Sequence, residues 1–110
     1  MNIFTKFCVL HGWASQKTKR DEGFVVMCKI EKYLTGPFEH ATEEQISLFK
    51  KIVSKKLTKA EIICLRCHFE EMIEIFTADG DGNLTHYEEQ YCNKHCNVYR
   101  LYLNALLEVL

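Results

Sequence analysis

Apolar residues recur along most of this chain at steps of three and four, the period of a helix with one buried face. The clearest case is KAEIICLRCHFEEMIEIF, where Ile62, Leu65, Phe69, Met72 and Phe76 draw one continuous stripe. Upstream, Ile46, Phe49, Ile52 and Val53 share one face of ATEEQISLFKKIVSKKL. From Asp21, DEGFVVMCKIEKYL reads as another helix, closed by Thr35-Gly36-Pro37. There Gly36 is expected in the left-handed C′ conformation, and Pro37 cannot continue the helix. Residues 1–16 read as a further helix. Three capping boxes mark helix starts: Thr42 with Gln45, Thr58 with Glu61, and Thr85 with Glu88.

The last stretch, VYRLYLNALLEVL, carries Arg100, Asn104 and Glu108 as a narrow polar stripe on an otherwise apolar helix. Val98, Leu101, Tyr102, Leu106, Val109 and Leu110 cannot all stay in water. The chain's own core is the expected cover, and a homodimer sharing residues 98–110 is the alternative. The predicted architecture is all-α, with four or five helices in one domain spanning 1–110. Within it stand an N-terminal segment 1–20, a helical pair 22–57, a helix–loop–helix 58–97 with helices 59–76 and 85–97, and an apolar C-terminal helix 98–110.

Composition narrows the function classes. At 110 residues the chain builds one core, not two. The 14 basic and 15 acidic residues nearly balance, which gives no electrostatic case for nucleic acid. One proline and five glycines leave little material for a turn-rich β fold. No apolar run is long enough to span a membrane. Phe7–Ala14 is a poor signal-peptide core, interrupted by His11 and lacking a convincing cleavage site. Lys50, Lys51, Lys55 and Lys56 read as the solvated face of an amphipathic helix rather than a docking patch. His11 and Trp13 read as packing residues.

FTADGDGNLTHYEE, residues 76–89, holds acidic residues alternating along a glycine-rich turn between two helices. In a twelve-residue register with Gly82 sixth, Asp79 is third, Asp81 fifth, Asn83 seventh, Leu84 eighth, Thr85 ninth and Glu88 twelfth. This pattern resembles the EF-hand family, whose loops hold calcium with oxygens at positions 1, 3, 5, 7, 9 and 12. The resemblance implies Ca2+ as cofactor and Thr77, Asp79, Asp81, Asn83, Thr85 and Glu88 as its ligands. Thr77 departs from the pattern, because the family places Asp at position 1. Starting instead at Asp79 would put Leu84 at the glycine seat and Gln90 at the bidentate one. Three carboxylates remain, so the expected affinity is weak.

EF-hands usually come in pairs, and the matching upstream loop is Leu34–Gln45. It has Gly36, Phe38 and Glu39 at seats 3, 5 and 6 and a neutral Gln45 at seat 12, so it is dead as a calcium site. Residues 22–57 are then a degenerate hand.

Six cysteines form the second constellation. Cys64 and Cys67 share one helical face, as do Cys92 and Cys96, leaving Cys8 and Cys28. Disulfides among these six, reduced core thiols, and a zinc site drawing on His68 and His95 all stay open. Disulfides would imply a secreted protein, and free thiols a cytoplasmic one. The leading reading is a non-catalytic EF-hand-like calcium-binding or interaction module with a protein partner. The alternative is a secreted, disulfide-stapled helical ligand or effector in which the loop is structural. A Cys–His enzyme using Cys67 or Cys92 ranks below both, since nothing marks an oxyanion hole.

Overall fold

The computed structural model describes residues 1–77 and 86–110. Among them the chain forms five helices and no strand: α1 (Ile3–Leu10), α2 (Gln16–Glu31), α3 (Glu43–Lys56), α4 (Lys59–Thr77) and α5 (His86–Val109). The all-α expectation holds, and no described helix is long and apolar enough to cross a membrane.

Side chains cap the starts as the sequence directs. Asn2, Ser15 and Thr42 each accept a backbone N–H of the first turn, opening α1, α2 and α3. The box at α4 closes in both directions: the Thr58 N–H donates to Glu61 Oε1 at 2.9 Å, and the Glu61 N–H donates to Thr58 Oγ1 at 3.2 Å. At α3 only half the box forms, because the Gln45 side chain turns away from Thr42.

Several boundaries differ from expectation, and the helix read over residues 1–16 stops at Leu10. α2 begins five residues before Asp21 and ends at Glu31, ahead of the expected Thr35-Gly36-Pro37 stop. The only glycine with positive φ among the described residues is Gly12, not Gly36. The expected break between 97 and 98 is also missing. α5 runs through it unbroken, because nothing there interrupts the apolar stripe.

α2 lies along α4, α4 against α5, and α3 against α5. One core joins them, with Ile30 of α2, Phe49 and Val53 of α3, Leu65 and Phe69 of α4, and Tyr102 and Leu106 of α5 fully buried. The C-terminal stripe is thus covered by its own chain: Val98, Tyr102, Ala105 and Leu106 are buried, while Leu101 and Leu110 stay exposed. The lysines of α3 serve that packing from outside. Lys50 pairs with Glu108 of α5, and Lys56 lies 4.4 Å from the Tyr33 ring centroid.

α2 approaches α4 at Gly23. A Cβ there would meet the Cys64 carbonyl oxygen at 2.1 Å and His68 Cβ at 2.7 Å, so only glycine permits the contact.

Candidate functional site: the end of α4, the start of α5 and the upstream turn

α4 ends at Thr77 and α5 begins at His86, with Glu88 and Glu89 in its first turn. Of the expected calcium ligands, Thr77 and Glu88 are therefore described. Asp79, Asp81, Asn83 and Thr85 lie outside the described residues, as do Gly82 and Leu84. Both described seats are exposed at their helix ends. Glu88 sits where the unpaired N–H groups of a helix favour negative charge.

The Thr77 hydroxyl already has partners. It donates to the Ile73 carbonyl one turn back, at 2.5 Å, and Cys96 Sγ lies 3.3 Å away. With its proton on Ile73, the Thr77 oxygen is left as the acceptor for the Cys96 thiol. A cation would have to compete for that oxygen, and it would gain no charge there.

An aromatic stack braces this corner. The Phe76 ring lies 5.2 Å from His95 and 6.0 Å from Tyr99, and Tyr91 lies 4.2 Å from His95. His95, offered by the sequence as a metal ligand, is thus a stacking residue. Beside the stack, Thr77, Glu89, Cys92, Cys96 and Arg100 line an open cleft of about 330 Å³.

The upstream turn is fastened by the Gln45 side chain. Gln45, at its twelfth seat, is almost fully buried. Its amide N–H groups donate to the Gly36 carbonyl at 3.0 Å and the Pro37 carbonyl at 3.2 Å. Its Oε1 accepts from the Thr35 hydroxyl at 3.1 Å. One side-chain amide therefore ties two carbonyls of the turn together. From the fifth seat Phe38 turns inward and stacks on Tyr102, with centroids 4.0 Å apart. The turn is closed by an amide clamp and an aromatic plug.

Tyr102 Oη is the one buried side-chain polar atom without a hydrogen-bond partner among the described residues. Burial pushes the phenol's pKa up, and the neighbouring Gln45 side chain offsets only part of that rise.

All six cysteines are free thiols in this structure. Cys64 packs with Val9 and Ala60 at the α1 end of α4, whereas Cys96 meets Thr77 at the other end. Thirteen residues of helix separate Cys64 from Thr77, roughly 20 Å at 1.5 Å per residue. A disulfide needs Cα atoms within about 7 Å. Cys64 and Cys96 therefore stand too far apart to be bridged. Among the described residues no cluster of His, Cys, Asp and Glu could hold a metal. Burial pushes the Cys64 thiol up to about 11, with Cys67 and Glu22 nearby adding to the rise, and burial also raises Cys67. His68, sunk between α2 and α4, is held below its ordinary value by the same desolvation.

Sequence reasoning missed four residues. Gly23 was read as part of the first turn of a helix opening at Asp21, and only the true start at Gln16 puts it inside the helix, where a glycine signals a close approach. Gln45 and Phe38 were legible as seats of a dead loop, but not as its replacement fastening. Trp13, expected to pack, is exposed. No family model, curated protein or solved structure matches this chain.

Proposed function

We propose that this chain is a non-catalytic EF-hand-like module with one weak calcium site at residues 77–88 and a second hand converted to a metal-free brace. The observation that carries the reading is where the helices stop and start. α4 ends on the first seat of the twelve-residue pattern, and α5 opens with the twelfth-seat carboxylate in its first turn. The Gln45 clamp supports the paired arrangement, because a retired loop needs another donor set for its carbonyls. Raised thiol pKa values at Cys64 and Cys67 run opposite to what a cysteine nucleophile requires, which favours binding over catalysis.

This module does not open like a sensor. The groove that a calcium sensor offers to a target helix is filled here by the chain's own Val98, Tyr102 and Leu106. Calcium would then tighten the corner between α4 and α5, without exposing the core. The test is a pair of substitutions read by calcium titration. Glu88→Gln should abolish binding, and Thr77→Asp should tighten it by adding a charged ligand in the first seat. Unchanged affinity in Thr77→Asp would show the register to be wrong.

A further inference from the structure

Helix α1 leaves most of its large apolar residues in solvent. Val9 is buried against Ala60 and Cys64 of α4, and Thr5 is half-buried on the same side. Ile3, Phe7 and Leu10 occupy the far side of the helix and face solvent, with Phe4 beside them. Ile3 is 87% exposed, Phe4 76% and Trp13 70%, so this is bare apolar surface rather than the rim of a core.

The surface is held in shape. Gly12, at φ 75°, reverses the chain after α1, and the Trp13 N–H returns to the Cys8 carbonyl at 2.8 Å. The Phe7, His11 and Trp13 rings then lie against one another, with centroids 4.2 to 5.4 Å apart. The charged side chains of the segment that carries the patch are all basic. Residues 1–20 contain Lys6, Lys17, Lys19 and Arg20, and none of the chain's 15 acidic residues. Arg20 pairs with Glu71 of α4, while Lys6, Lys17 and Lys19 have no ion-pair partner among the described residues.

We propose that α1 and Trp13 form an interfacial anchor for an anionic lipid bilayer. The apolar side seats at the boundary between headgroups and acyl chains, and Lys6 and the exposed Lys17 face the acidic headgroups. A tryptophan at the edge of the apolar side suits that boundary, where its ring is half in hydrocarbon and its N–H stays wet. Docking of a second copy is disfavoured by the same charges, since a twofold contact through α1 sets each lysine group near its own image. The anchor is independent of the calcium loop, from which it is separated by the length of α4.

Trp13 is the only tryptophan in the chain, so its fluorescence reports directly on the patch. The full-length chain, kept in chelator, is titrated with phosphatidylcholine vesicles and with vesicles that also contain phosphatidylserine. The expected result is a blue shift of Trp13 emission with the anionic vesicles and little with the neutral ones. Added salt should reverse it, because exposed charges are screened. Ile3→Ser with Phe4→Ser should weaken binding at least roughly tenfold, as two large apolar side chains are lost. Lys17→Gln should weaken it by roughly fivefold. Unchanged thermal melts of these variants would show that the surface, and not the fold, was altered. The proposal is overturned by no shift, by equal response to neutral vesicles, or by unchanged binding of the Ser variant. A dimer that the Ser substitutions disperse, with no vesicle binding, would assign the face to a second copy instead.

Discussion

Gly23→Ala tests the closest contact in the fold. The new Cβ would stand 2.1 Å from the Cys64 carbonyl oxygen and 2.7 Å from the carbonyl carbon, both backbone atoms that cannot swing aside. Reaching ordinary contact at 3.4 Å requires α2 to back away by about 1.3 Å. That shift loosens Val26, Met27 and Ile30, which reach the main core from α2. Overpacking of this kind costs roughly 1–3 kcal/mol, while replacing a mid-helix glycine by alanine returns up to about 1 kcal/mol of helix propensity. The clash dominates because it displaces a whole helix, so a net loss of about 2 kcal/mol is expected. In a chain of this size that lowers Tm by roughly 8 °C, followed by circular dichroism. Gly36→Ala is the internal control, since nothing lies within 4 Å of its Cβ and its φ is not positive. It should be neutral or stabilising by about 0.4–1 kcal/mol. If Gly23→Ala melts at or above the parent temperature, α2 does not lie against α4 as described.

Four further outcomes follow from the same geometry. Gln45→Leu keeps the volume but removes three hydrogen bonds, to Thr35, Gly36 and Pro37, and should cost roughly 1–3 kcal/mol in urea unfolding; a loss under about 0.5 kcal/mol would deny the clamp. Deleting residues 98–110 removes four buried side chains and should leave an unfolded or aggregated chain by size-exclusion chromatography, so a soluble, cooperative monomer would contradict the packing. In the native protein a thiol reagent should label exposed Cys28 first and buried Cys64 and Cys96 last, with all six reacting in urea; a flat labelling order, or none in urea, would refute it. Acid should destabilise the fold in two stages. His68 is held below its ordinary 6.5, so the unfolded chain takes up that proton first and stability falls as pH drops through about 6.5. Burial alone would raise Glu61, but the Thr58 backbone N–H and Lys29 outweigh it, so a second loss follows below about 4.5. A Tm that stays level from about pH 7.5 to 5.5 would contradict the first stage.

The elements were legible where periodicity and caps agreed. The stripe through Ile62, Leu65 and Phe69 and the box at Thr58 and Glu61 placed α4 to within a residue. The start of α2 was missed because its first turn, Gln16–Lys19, carries no apolar residue to set a phase; the signal was Ser15 as a cap. Gln45 was read as a local cap, yet its partners lie eight to ten residues upstream, which no capping pattern can show. The exposed side of α1 was not read from the sequence at all. An apolar helix is expected to bury its broad side, and here only Val9 and its neighbours do so. The calcium seats were read from residue chemistry alone, and four of the six, Asp79, Asp81, Asn83 and Thr85, lie outside the described residues.

Calorimetric titration of the native chain with calcium tests the central claim most directly. The account predicts one site with Kd weaker than roughly 10⁻⁵ M, because the first seat holds an engaged threonine and only three carboxylates remain. A folded chain that takes up no calcium at roughly 10⁻³ M, the weak end of known EF-hand affinities, would contradict it.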